Sequence, residues 1–150
     1  MLILTVMLAM VAPSLGGFGR GREAQNAAAN LLSLSRWARE QAITEGRVYR
    51  LNFDPAEGAY WVTAAYGGTF ETLPVEFGRR FVLPESVTAE WSAPAEGGYP
   101  YAEFLPSGRS RRVRIRVFAA DGQFVDLASL SATEPMKVLT PEEQEEVAAR

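Results

Sequence analysis

The chain has 150 residues, 47% of them hydrophobic, and a net charge of −3 at neutral pH. That is enough apolar material for one ordinary core, and too little charge to draw the whole molecule to nucleic acid or acidic lipid. Cysteine and histidine are both absent, which excludes disulfides, thiolate nucleophiles, Cys or His metal sites and the commonest general base. The composition therefore argues against an enzyme, and it implies no cofactor and no metal.

The opening stretch is uncharged and apolar: Leu2, Ile3, Leu4, Val6, Leu8 and Val11 lead up to Pro13. A helix over 1–12 reaches about 18 Å against roughly 30 Å of hydrocarbon, so this run alone is too short to span a bilayer. Val11-Ala12-Pro13-Ser14 is rich in small residues, as a signal-peptide cleavage region is, yet no positively charged segment precedes the apolar run. A buried helix of an ordinary domain and a piece of a longer membrane helix are the other readings, and the second is favoured. Pro13 is expected to end or kink the helix, because it has no amide hydrogen and collides with the preceding turn. Gly16, Gly17, Gly19 and Gly21 are expected to loosen it by about 1 kcal/mol each relative to alanine. Their spacing is reminiscent of a phosphate loop, but no strand precedes them and no Lys-Ser/Thr follows.

From Gly21 to Glu45, Ala24, Ala27, Ala28, Leu31, Leu34, Ala38 and Ala42 recur at steps of three and four, which predicts a helix with one small-residue stripe. Glu23, Arg36, Arg39, Glu40 and Glu45 lie mostly off that stripe, and Gly46 is a natural stop. Such a helix is about 37 Å long, longer than the width of the head it packs on, so one end is expected to protrude.

After Gly46 the period becomes two. Tyr49, Leu51 and Phe53 alternate with Arg50 and Asn52, and Asp54-Pro55-Ala56-Glu57-Gly58 turns the chain into Tyr60, Val62 and Ala64, an antiparallel hairpin. A short strand is expected within 77–84, another over Val87, Ala89 and Trp91, and a mobile loop over the Gly/Pro-rich 92–100. Tyr101 to Leu105 leads through Pro106-Ser107-Gly108 into Arg112-Val113-Arg114-Ile115-Arg116-Val117, the cleanest alternation in the chain. Asp121-Gly122 makes a hairpin turn toward Phe124, Val125 and Leu127, and Thr140-Pro141-Glu142-Glu143 has the form of a helix capping box. Six or seven short strands in one antiparallel sheet, covered by the long helix, make an α+β head.

Arg109, Arg111, Arg112, Arg114 and Arg116 form the sharpest chemical feature. Alternation puts Arg112, Arg114 and Arg116 on one solvent face, where guanidinium groups pair with acids such as Glu103, grip a neighbouring subunit, or hold phosphates. Arginine outnumbers lysine fourteen to one throughout, which dilutes the signal. Trp37, Trp61 and Trp91 are expected in packing roles. Asp54 with Glu57, and Asp121 with Asp126, are acids that turn geometry itself calls for, more than calcium ligands.

Three pieces of sequence carry a family resemblance. They are the apolar run closing in Ala12-Pro13-Ser14-Leu15, the segment Asn30-Leu31-Leu32 through Trp37-Ala38-Arg39 to Gln41-Ala42-Ile43-Thr44-Glu45-Gly46-Arg47, and the hairpin from Val48 to Val62. With Phe104-Leu105-Pro106-Ser107-Gly108-Arg109-Ser110 they resemble, in order and spacing, the GspH/FimT-type minor pseudopilins, prepilin-like proteins of type II secretion and type IV pilus machinery. The family's leader and its Phe-Thr-Leu-Ile-Glu start are missing; alignment on Pro13 places roughly nine residues of mature chain before Met1. The expectation is a late-called start.

The resemblance implies a pilin-like fold, one long N-terminal helix on an antiparallel β-sheet head, and a structural rather than enzymatic role. It implies a hydrophobic membrane or filament helix segment with its Gly-rich joint over 1–21 and a periplasmic head over 22–150. Anchorage in the inner membrane would precede assembly with other major and minor pseudopilins, and prepilin peptidase would be a partner only if an upstream leader exists. Leu2, Ile3, Leu4, Val6, Leu8, Val11 and Pro13 would then belong to the filament helix. The alternative is a DNA-binding minor pilin for uptake, working through the arginine strand.

Overall fold

The computed structural model describes the backbone of residues 2–74, 76 and 78–148, and side chains over 22–74, 76 and 78–147. One helix, α1 (Leu2–Glu45), opens the chain. At 1.5 Å per residue it is about 66 Å long. The helix does not end at Pro13 or at the glycines: the backbone is helical across them. Proline inside a helix removes the hydrogen bond to the carbonyl four residues earlier and crowds that carbonyl, which can bend a helix without ending it.

From Arg22 onward the stripe read from the sequence is the buried face. Ala24, Ala27, Ala28, Leu31, Ala38 and Ala42 are buried and Leu34 is partly so. Small side chains let the strands come close, and Ser35, also buried, satisfies its hydroxyl by donating to the Leu32 carbonyl at 2.7 Å. Gly46, at φ 69°, closes the helix by returning its amide to the Ala42 carbonyl at 3.0 Å.

Where one sheet of six or seven strands was expected, ten strands among the described residues form two sheets. The first contains β1 (Tyr49–Asp54), β2 (Ala59–Tyr66), β3 (Thr69–Thr72), β4 (Phe81–Val82), β6 (Ala95–Glu96) and β7 (Tyr99–Phe104), in the order β3-β2-β1-β7-β6 with β4 also on β2. The second contains β5 (Thr88–Ser92), β8 (Arg114–Phe118), β9 (Phe124–Ala128) and β10 (Lys137–Val138), in the order β10-β9-β8-β5. All the pairings are antiparallel. Helix α1 packs on β1 and β7 of the first sheet and on β8 and β9 of the second, so both sheets share one core.

The first hairpin has the expected register, Leu51 opposite Val62 and Phe53 opposite Tyr60, and its inward residues are buried. Phe53 then stacks on Trp91 at 5.1 Å between ring centres, joining the two sheets. The expected strand within 77–84 shrinks to Phe81–Val82. The segment 92–100, expected to be a mobile loop, is instead a tight hairpin between β6 and β7, turned by Gly97 and Gly98 at φ 63° and 86°. Two consecutive positive φ values are what a two-residue hairpin turn demands, and Gly-Gly meets them without strain.

Helix α2 (Pro141–Ala148) ends the described chain. Its capping box forms as read: the Thr140 amide donates to Glu143 Oε1 at 3.2 Å and the Glu143 amide to Thr140 Oγ1 at 3.3 Å.

Candidate functional site

The arginine strand resolves into two chemically different parts. Ile115 and Val117 of β8 are fully buried, so Arg114 and Arg116 take the opposite face. The hairpin at Asp121-Gly122 sets β9 against β8 with Asp126 opposite Arg116. Asp126 has no exposed surface. Its Oδ2 accepts from Arg114 Nη2 at 2.7 Å and Arg116 Nη2 at 2.9 Å, and its Oδ1 accepts from Arg116 Nε at 2.7 Å. Burial pushes the Asp126 carboxyl up, but hydrogen bonds from Arg116 and then Arg114 outweigh it and hold the group below its ordinary range. The same hydrogen bond raises Arg116 in turn, against the opposing effect of burial. Arg116 also lies over the Phe124 ring at 4.1 Å.

This arrangement corrects the expected partner. Glu103 lies in the first sheet and pairs with Arg50, and the acid that neutralises the arginine strand is Asp126. It also divides the five arginines. Arg112 precedes β8 instead of belonging to it, and Arg109, Arg111 and Arg112 are exposed, with no ion pair to any described residue. The strand therefore does not present a row of three free guanidinium groups.

On the first sheet Arg50 is the hub. Its Nη1 donates to Glu96 at 2.6 Å and its Nε to Glu103 at 2.9 Å, while the guanidinium sits between Phe70, 3.7 Å to the ring centre, and Tyr101, 4.1 Å. Nearby, Arg80 Nη2 donates to both Asp54 and Glu57, at 2.9 and 2.8 Å, and its guanidinium lies over Trp61. Asp54 Oδ1 also accepts the Ala56 amide, and Asp121 Oδ1 the Gln123 amide, each closing its own turn. Among the described residues no cluster of acids is arranged to hold a metal.

Two pieces of the sequence resemblance meet in space. Arg39, on α1, donates through Nε to the Gly108 carbonyl at 3.3 Å and through Nη2 to the Thr133 carbonyl at 3.2 Å. The Pro106-Ser107-Gly108 turn is thereby seated on the helix, and Ser110 continues it with a bond to the Ala132 carbonyl. Beside it Trp37 packs edge-on to Tyr49, whose hydroxyl donates to Glu45. Burial first, then that carboxylate, pushes the Tyr49 phenol well above its usual range.

Residues 27–138 match the family described as Type II transport protein GspH. The chain belongs to the GspH family. Solved structures of similar fold include the minor pseudopilin EpsH from the type 2 secretion system of Vibrio cholerae, at 14% identity and TM-score 0.67 over 81% of this chain and 99% of that one. The type IV minor pilin FimU of Pseudomonas aeruginosa follows at 16% and 0.61, covering 82% and 92%. The E. coli GspH solution structure matches at 16% and 0.59, covering 81% and 88%. No curated protein sequence matches the chain. The family is one of structural minor pseudopilins, and the pilin-like fold, a long helix on an antiparallel head, is the one these structures share with this GspH-family chain.

The family match begins at residue 27, so Leu2, Ile3, Leu4, Val6, Leu8, Val11 and Pro13 lie before it. Their backbone is helical and their side chains lie outside the described residues. Among the described residues no helix is long and apolar enough to cross a membrane. The sequence placed Arg39 and Arg50 on outward faces without naming partners for them and read Asp126 as a turn acid; it lies instead inside β9, where it holds Arg114 and Arg116. Asp126 had a signal: counting outward from the Asp121-Gly122 turn puts it opposite Arg116.

Proposed function

We propose that the chain is a structural subunit of a periplasmic filament of the type II secretion or type IV pilus kind. The single observation that carries this reading is the GspH-family match over 27–138. In it, residues 1–21 are the segment that seats in the inner membrane before assembly and packs among neighbouring helices afterwards. Residues 22–150 are the head, held on the periplasmic side against other pseudopilins.

The dimensions of α1 support this division. The buried residues Ala24 to Ala42 account for about 27 Å of a rod about 66 Å long. On the face turned away from the sheets, Gln25, Ala29, Ser33 and Arg36 are exposed, and Ala29 and Ser33 are small enough for a second helix to come close. The DNA-uptake alternative draws no such support, since Asp126 already occupies Arg114 and Arg116.

The test is a photo-crosslinking residue at position 29 or 33 in cells that assemble the filament, with fractionation before assembly. Adducts to another pseudopilin and recovery in the inner-membrane fraction are expected. Recovery in the soluble fraction alone, with no pseudopilin adduct at either position, overturns the reading.

A further inference from the structure

A cleft of about 350 Å³ opens on the second sheet, between the end of β5, the start of β8, the end of β9 and the last turn of α2. Its charged lining residues are Arg112 and Arg114, its hydroxyls are those of Ser92 and Ser129, and Val113 and Val147 are among its apolar walls. No acid lines it. Arg112 is exposed and makes no ion pair with a described residue. Arg114 gives Nη2 to Asp126, while its Nε is buried without an acceptor among the described residues. That N–H has almost no accessible surface, so the guanidinium available to a ligand in the cleft is that of Arg112.

The charge balance points the same way. Asp126 is shared by Arg114 and Arg116, and Arg116 also faces Glu90 across the β5–β8 pairing. Among the described residues, the lining guanidinium without an ion pair is therefore that of Arg112. A planar guanidinium with hydroxyls beside it matches an oxyanion, and the apolar remainder of the wall matches a hydrocarbon group carried on that oxyanion. The volume is at the small end for ligand pockets, which suits the end of a chain and not a spread of phosphates along a duplex.

We propose that this cleft binds a carboxylate borne on an apolar group, as the free C-terminal residue of a partner polypeptide. The assignment does not depend on the filament reading, since it rests on the lining chemistry alone. Arg112 is the binding residue; Arg114 holds the wall in place through Asp126.

The experiment is a titration of the full chain followed by amide NMR, with N-acetyl-leucine, N-acetyl-leucinamide and inorganic phosphate as the three probes. Saturable shifts at Ser92, at 112–114 and at 128–130 are expected with N-acetyl-leucine alone. Arg112→Gln should weaken that binding at least roughly tenfold, the scale of one charge-assisted contact, and Arg109→Gln should leave it unchanged. Arg112 is exposed, so its replacement leaves the fold intact, which the unperturbed spectrum elsewhere verifies. The proposal is overturned by any of three results: no saturable shift with N-acetyl-leucine, equal response to the amide, or phosphate binding as tightly as the carboxylate. Unchanged affinity in the Arg112 variant also overturns it.

Discussion

Each sheet holds an ion cluster built on a single hub, Asp126 in the second and Arg50 in the first, and these two clusters are near inverses. In the second sheet one carboxylate, Asp126, is shared by two arginines; in the first sheet one arginine, Arg50, is shared by two carboxylates. The difference lies in where the desolvation falls. Asp126 is sealed, while its partners keep 25% and 31% of their side-chain surface; Arg50 keeps 15% and is insulated by Phe70 and Tyr101, while its partner Glu96 is 72% exposed. A sealed carboxylate has no fallback in water, so its partners matter most. A ring-sandwiched guanidinium retains its packing whatever its partners do, so the hub itself matters most.

That contrast is broken most directly by removing both partners of Asp126. Changing Arg114 and Arg116 together to Met should cost about 4 kcal/mol in urea unfolding, because a buried carboxylate is left unpaired. A smaller loss, about 2 kcal/mol, is expected for Asp126→Asn, where the two guanidinium groups regain water. If the hub variant proves the worse of the two, the asymmetry is wrong. In the first sheet the order should reverse: Arg50→Ala, losing two rings and two acids, about 2 kcal/mol, against no more than about 0.5 kcal/mol for Glu96→Gln.

Acid titration sharpens the same comparison. The Asp126 carboxyl is held below its ordinary value of 3.8, so its contribution is fully present above that value in the folded protein and is lost as pH falls through the lower folded one. The urea midpoint should therefore fall below about pH 4, and Asp126→Asn should flatten that part of the curve.

Local patterns carried far in this chain. The small-residue stripe of α1, the first hairpin and the capping box at Thr140 all follow from spacing a few residues long, and all are present. What spacing could not carry was the division into two sheets. That division rests on β5 meeting β8, Trp91 opposite Ile115, across an intervening hairpin that belongs to the other sheet. Alternation names a strand's inner face but not its neighbour. Pro13 was read from its missing amide and its ring clash, and the glycines from propensity, as ending or loosening α1, yet the backbone is helical across them. At the arginine strand the outward face was legible, whereas its neutralisation was not, because Asp126 sits among Val125, Leu127 and Ala128 and reads locally as one polar residue in an apolar run.

Arg39 gives the head an unusual mechanical property. Its guanidinium ties α1 at one level to Gly108 and Thr133, residues 69 and 94 positions away in sequence. A pull or twist delivered along the rod would reach both of those segments at once through a single side chain. The loop that carries Arg109 would then move with the shaft and not lag behind it, as a tooth moves with its gear.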